Sequence, residues 1–192
     1  MATGQKRASV RYTVPGMSSG DAGKVIDLLQ DRLNALNDLA LTLKHIHWNV
    51  VGENFIAVHT MLDPQVDAVR EMVDDVAERI ATLGGSPVGT PGALVKERSW
   101  DDYDVGRADA IAHLGALDLV YAGVIAAHRN AIDATEDTDL VTQDMLIEQA
   151  GRLEQYQWFV RAHLENASGE ISTAGARTEK RAAKTAARRA RR

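Results

Sequence analysis

The chain has 192 residues, enough for one large domain with terminal extensions and long enough to bury a core without covalent staples. It has no cysteine, which excludes disulfides, thiolate zinc sites, iron–sulfur clusters and cysteine nucleophiles, so any metal must be held by His, Asp and Glu. The net charge of −5 hides a polarity: residues 177–192 hold eight Lys/Arg against one acid (+7), and the other 176 residues hold 14 against 26 (−12).

In chain order, residues 1–20 read as an N-terminal arm, charged but without the apolar core of a signal peptide. No apolar run in the chain is read as approaching the ~20 residues needed to span a membrane, so a soluble cytoplasmic protein with no membrane partner is expected. Every later segment repeats at three and four residues, and none alternates at two. The first predicted helix runs from about Asp21, its expected N-cap, to Val51, with Val25, Leu29, Leu33, Leu36, Leu43 and His47 on one face and Gly52 as its stop. The second runs from about Val58 to Leu83, and its stripe (Leu62, Val66, Val69, Val73, Val76, Ile80, Leu83) steps by fours and threes as bundle helices do. Residues 84–104 are rich in Gly and Pro and leave room for a short helical piece around "ALVKERSW". The third helix is expected from Val105, capped by Asp104, to Thr135, and the fourth from Thr138 to Ala167. Short turns make antiparallel pairs of helices one and two and of helices three and four, while the long connection can cross the bundle. The expected fold is therefore all-α, a ferritin-like four-helix bundle over residues 21–170 with one long crossover between helices two and three, followed by a basic C-terminal tail over 171–192.

The second helix carries four potential ligands in two i,i+4 pairs, His59 with Asp63 and Asp74 with Glu78, all within an arc of about 100°. His59 and Asp74 lie roughly 22 Å apart along the axis, so one metal cannot use both pairs of one helix. A two-fold axis near residues 68–69 brings 59 opposite 78 and 63 opposite 74. His47 reaches the same place across the short turn, and two equivalent intersubunit sites result. Spacing alone is equally compatible with a solvated acidic face and two packed histidines. Glu-x-x-His and HExxH are both absent, so the intrachain di-iron and zincin patterns are excluded.

The segment 41–87, above all "HWNVVGENFIAVHTMLD" and "DDVAERIATLGGSP", together with "LEQYQWFVRAHLE" at 153–165, resembles the Dps family, the ferritin-like DNA-binding proteins from starved cells. The resemblance covers roughly residues 20–168. It implies a twelve-subunit shell that oxidises Fe(II), preferably with hydrogen peroxide, at sites on the two-fold dimer interface. The matching ligands are His47, His59 and Asp63 of one subunit with Asp74 and Glu78 of its neighbour, the set that the two-fold argument selects. Iron (Fe2+/Fe3+) is the implied metal. Trp48, by residue type most simply a core residue, matches a family tryptophan beside the iron. Asp139, Asp144 and Glu148 match the region lining the family's three-fold entry pore, although acids in a first helical turn also suit the helix dipole. His45, His113, His128 and His163 have no ligand-like partner at helical spacing and read as structural.

The tail "ARTEKRAAKTAARRARR" interleaves Arg177, Lys180, Arg181, Lys184, Arg188, Arg189, Arg191 and Arg192 with alanine and has no aromatic residue. Such an arm is expected to be mobile, and to touch phosphates of double-stranded DNA without reading sequence, in a nucleoid-associated protein. Lys6, Arg7 and Arg11 can assist. Two alternatives stay open: the tail serves solubility or another subunit, and the chain is a structural DNA-compacting protein whose metal site is vestigial or binds zinc.

Overall fold

The structure is a computed structural model, described over residues 10–190. Four long helices form the body: α1 (Ser19–Asn49), α2 (Phe55–Thr82), α4 (Ala110–Thr135) and α5 (Leu140–Ala162), with α3 (Pro91–Glu97) in the crossover and α6 (Glu179–Ala190) at the C-terminus. The bundle is all-α in substance. Two two-residue strands, β1 (Val50–Val51) and β2 (Ala108–Asp109), pair in parallel and join the end of α1 to the start of α4. At the opposite end Arg79, late in α2, donates to Asp139 and Thr142 at the start of α5. These two ties set the directions. The starts of α2 and α4 lie at one end and the end of α2 meets α5 at the other, so α2 and α4 run parallel across the diagonal. This is the one-crossover topology of ferritin-like bundles.

Local chemistry explains the boundaries. Ser18, rather than Asp21, caps α1: its side-chain oxygen accepts from the Asp21 amide at 3.1 Å. Likewise α4 begins at Ala110 with Asp109 as N-cap, five residues after the expected start, because residues 108–109 are held extended against β1. The crossover is stapled to α1. Gln30 accepts from the Val88 amide and donates to its carbonyl, both at 3.0 Å, while Arg98 and the Trp100 indole both donate to Asp38. The turn after α2 needs Gly84: its φ is +87°, and a Cβ there would lie 2.0 Å from the Tyr12 carbonyl oxygen.

The main core is a cluster, chiefly of Leu, Ile and Val, from all four long helices, including Leu29, Leu36, Leu62, Ile80, Leu117 and Leu153, and a smaller one joins Val105, Ala112 and Ala116 to Ala183. Two expectations change. By length and hydropathy α4 is apolar enough to cross a membrane, against the reading that no segment approaches this. Its composition follows from being covered on several sides, since it packs on α1, α5 and α6 together. And residues 171–190, expected as a mobile arm, lie on the body. Ser172 and Thr173 are buried, and α6 packs Ala182, Ala183 and Ala186 against α4. Alanine permits this because its short side chain lets two helix backbones approach closely.

Candidate metal centre

The site begins where α1 ends and α2 begins. The intervening turn passes through Gly52 at φ +95° and places His47 beside His59. The two imidazoles stack with ring centroids 3.6 Å apart, 24° from parallel. Each hydrogen-bonds the other's backbone: His47 Nδ1 to the His59 carbonyl and His59 Nδ1 to the His47 carbonyl, both at 3.0 Å. A carbonyl only accepts, so both Nδ1 atoms carry a proton and both Nε2 atoms of the neutral rings keep a lone pair. Backbone carbonyls thereby orient both rings as the outer shell of a metal site does. His47 is buried, His59 is half-buried, and the Phe55 ring covers His59 at 4.9 Å.

One helical turn on, Asp63 brings a carboxylate to the pair. Its Oδ1 lies 3.2 Å from His47 Nδ1 and accepts from Lys44 Nζ at 2.9 Å. The Lys44 hydrogen bond holds the Asp63 carboxyl below its ordinary range, against the opposing effect of desolvation. Lys44 and Phe55 escaped the sequence reading. Lys44 had a legible signal, since it precedes His47 by three residues on one helix.

Asp74 and Glu78 are exposed further along α2, on the outward face that also carries Asp67 and Glu71. Among the described residues, no three His, Asp or Glu converge closely enough to hold a metal ion within one chain. Each subunit thus presents a two-imidazole, one-carboxylate fragment at one end of α2 and a two-carboxylate fragment near the other. Trp48 is 71% exposed, so within the subunit it fills no core. With Leu41, also exposed, it flanks a surface cleft that includes Lys44 and Arg70.

The nominated entry acids divide. Asp139 is buried, accepts from Arg79 at 2.7 Å and also bonds Thr142, so its charge is compensated inside the subunit. Its carboxyl sits below the ordinary range because the Thr142 and Arg79 bonds outweigh burial, which pushes the other way. Asp144 and Glu148 are exposed on α5. The other four histidines have structural partners: His45 the Val105 carbonyl, His113 the Tyr103 hydroxyl, His128 the Gln149 side chain and His163 the Phe159 carbonyl. Of the basic residues, Arg11, Arg177, Lys180, Arg181, Lys184, Arg188 and Arg189 are exposed, whereas Lys6, Arg7, Arg191 and Arg192 lie outside the described residues.

A one-crossover bundle with an open fragment of a metal site defines a ferritin-like protein, and the ferritin-like domain model matches residues 26–169. The DNA protection during starvation protein of Mycolicibacterium smegmatis is 61% identical over 177 residues, covering 92% of this chain and 97% of its own. The solved structure of DpsA14 from Streptomyces coelicolor is 62% identical with a TM-score of 0.86, covering 88% of this chain and 100% of its own. The fine tangled pili major subunit of Haemophilus ducreyi is 47% identical over 176 residues, covering 88% and 93%. The chain belongs to the Dps family of ferritin-like proteins.

Proposed function

We propose that the chain is the subunit of a homo-oligomeric shell, a dodecamer built from two-fold dimers, that oxidises Fe(II) at intersubunit sites and keeps the ferric product inside as mineral. Hydrogen peroxide is the preferred oxidant. The same particle binds double-stranded DNA without sequence preference through its basic C-terminal segment, in the cytoplasm at the nucleoid. The observation that carries the ferroxidase reading is the interlocked His47–His59 pair. Two reciprocal backbone hydrogen bonds leave both Nε2 lone pairs available, with the Asp63 carboxylate beside His47 Nδ1, and among the described residues no complete ligand set converges within one chain.

Iron is the substrate. His47, His59 and Asp63 bind it from one subunit, and Asp74 and Glu78 of the partner subunit complete the set. The hard carboxylate oxygens favour the ferric product. The reaction balances as two Fe(II), one peroxide and two protons giving two Fe(III) and two waters. Each ferrous ion supplies one electron, the O–O bond breaks, and hydroxyl radical is not released. Trp48, next to His47 in the chain, offers an oxidisable indole to intercept stray radicals, and Asp144 and Glu148 draw cations towards an entry pore in which Asp139 is the compensated member.

Stopped-flow absorbance after mixing Fe(II) with peroxide tests the site. The His47→Ala and Asp74→Ala shells are each expected to oxidise iron at least about 100-fold more slowly, beyond the loss typical of changes one shell further out. Co-refolding the two variants is expected to restore part of the rate, because each mixed dimer regains one intact site. Full activity in either variant, or no recovery on mixing, would overturn the intersubunit assignment.

A further inference from the structure

We propose that DNA is bound by α6 in its docked position, as a rigid cationic ridge on α4, and that Gly115, Asp118 and Thr173 position this ridge. The inference rests on the reading above that the basic C-terminal segment is the DNA contact, and it states how the contact is made.

The docking is built at three places. At the crossing, a Cβ on Gly115 would stand 2.8 Å from the Ala186 Cβ and 3.0 Å from the Ala182 carbonyl oxygen, so this position of α4 admits only glycine while α6 stays seated. Before α6, the Thr173 hydroxyl donates to Asp118 Oδ2 at 3.2 Å. The other oxygen of this buried carboxylate accepts from Arg161 at 2.7 Å and Gln157 at 2.9 Å. At the flanks, Lys180 donates to Asp104 at 3.0 Å and Arg189 to the Ile171 carbonyl at 3.5 Å.

The cations of α6 therefore have two roles. Lys180 and Arg189 lie on opposite flanks and tie the helix to the subunit. Arg181, Lys184 and Arg188 fall within about 60° of one another around the helix, roughly opposite the buried Ala182, Ala183 and Ala186. All three are exposed, and none pairs with a carboxylate among the described residues. From Arg181 to Arg188 the ridge is about 10 Å long, close to three base steps along one DNA strand. With no aromatic side chain in α6, the partner that this ridge fits is the phosphate backbone of a duplex rather than exposed bases.

Energetics favour the docked mode. A free helix of 12 residues is marginal in water, so a released arm must order itself again on DNA. The docked helix meets that cost during folding, and preorganisation then appears as affinity. Repetition of the ridge around a shell adds avidity at fixed spacing.

The test compares three shells of full-length protein in DNA retardation and salt titration, with amide hydrogen exchange of residues 179–190. Ala182→Gln/Ala186→Gln keeps every cation and good helix formers but cannot seat on Gly115, and it leaves the body untouched. It is expected to bind DNA roughly tenfold more weakly than the parent, with α6 amides unprotected in the free shell. Arg181→Gln/Lys184→Gln/Arg188→Gln keeps the docking and is expected to lower the salt slope by roughly 2.7 for each helix in contact. In the parent, α6 protection is expected to persist when DNA binds. Undiminished binding by the undocked shell, or loss of α6 protection on DNA, would overturn the docked ridge and leave the tail reading standing. Unchanged binding by the triple variant would remove both.

Discussion

The parallel helices α2 and α4 are nearly equal in length, 28 and 26 residues, yet they carry opposite surfaces. On α2 one side is buried in the core, and the other is left exposed with Asp67, Glu71, Asp74 and Glu78. On α4 the body covers one side and α6 covers another, so its chain is apolar enough to resemble a membrane span. Asp118, one of its buried polar groups, is matched by Arg161, Gln157 and Thr173. A helix's composition therefore records how many of its sides are covered. Where α2 stays open, charge is tolerated because it remains in water. Where α4 is closed, a buried charge such as Asp118 is matched within the fold, while His113 Nε2 and His128 Nδ1 are buried without a hydrogen-bond partner.

That contrast can be broken or sharpened by measurement. The largest effect is expected from acid. Burial holds the α4 residue His128 down to about 4, from an ordinary value near 6.5. The folded-state value is depressed, so the unfolded chain binds the proton more readily. The associated stability is fully present above about pH 6.5 and is lost as pH falls through 4, for a total of about 3 kcal/mol. Denaturant unfolding across that window should show this loss, and His128→Gln should flatten it. An equally steep profile in the variant would remove His128 as the cause.

Next in size is Asp118→Ala, which strips an acceptor from three donors in the closed region. It is expected to destabilise the subunit by about 2 kcal/mol, a figure moderated by the partial exposure of Arg161. A change below about 0.5 kcal/mol in chemical denaturation would show that the α4–α6 contact is not held through this carboxylate. The smallest effect is the counterpart on the open face: Asp74→Ala should leave unfolding of the subunit within about 0.5 kcal/mol of the parent, in contrast to the loss of iron oxidation expected of the same variant. A large destabilisation there would mean that the α2 face carries intrachain structure, contrary to its exposure.

Much of this was legible in the residues. The 3.6-residue periodicity marks all four long helices. The Gly- and Pro-rich stretch at 84–104 marks the crossover, and the pairs His59/Asp63 and Asp74/Glu78 mark a face of α2. The displaced boundaries arose where a side chain or strand outcompeted the local signal: Ser18 for the cap of α1, and the β1–β2 ladder for the start of α4. Asp139 looked like its neighbours Asp144 and Glu148 because no local pattern announces that Arg79, 60 residues earlier, will neutralise it.

The sequence by itself determined the helix periods and the types and spacing of the candidate ligands, because side-chain identity is given directly and spacing on a helix depends on a fixed rise and turn per residue. Only the tertiary structure decided the orientation of the imidazoles, which needs the turn to fold His47 and His59 onto each other's carbonyls. It also decided the fate of the alanines in α6. Their spacing is as compatible with a solvated arm as with a docked helix, and what selects docking is a glycine 71 positions away at Gly115, whose missing side chain leaves room for Ala186.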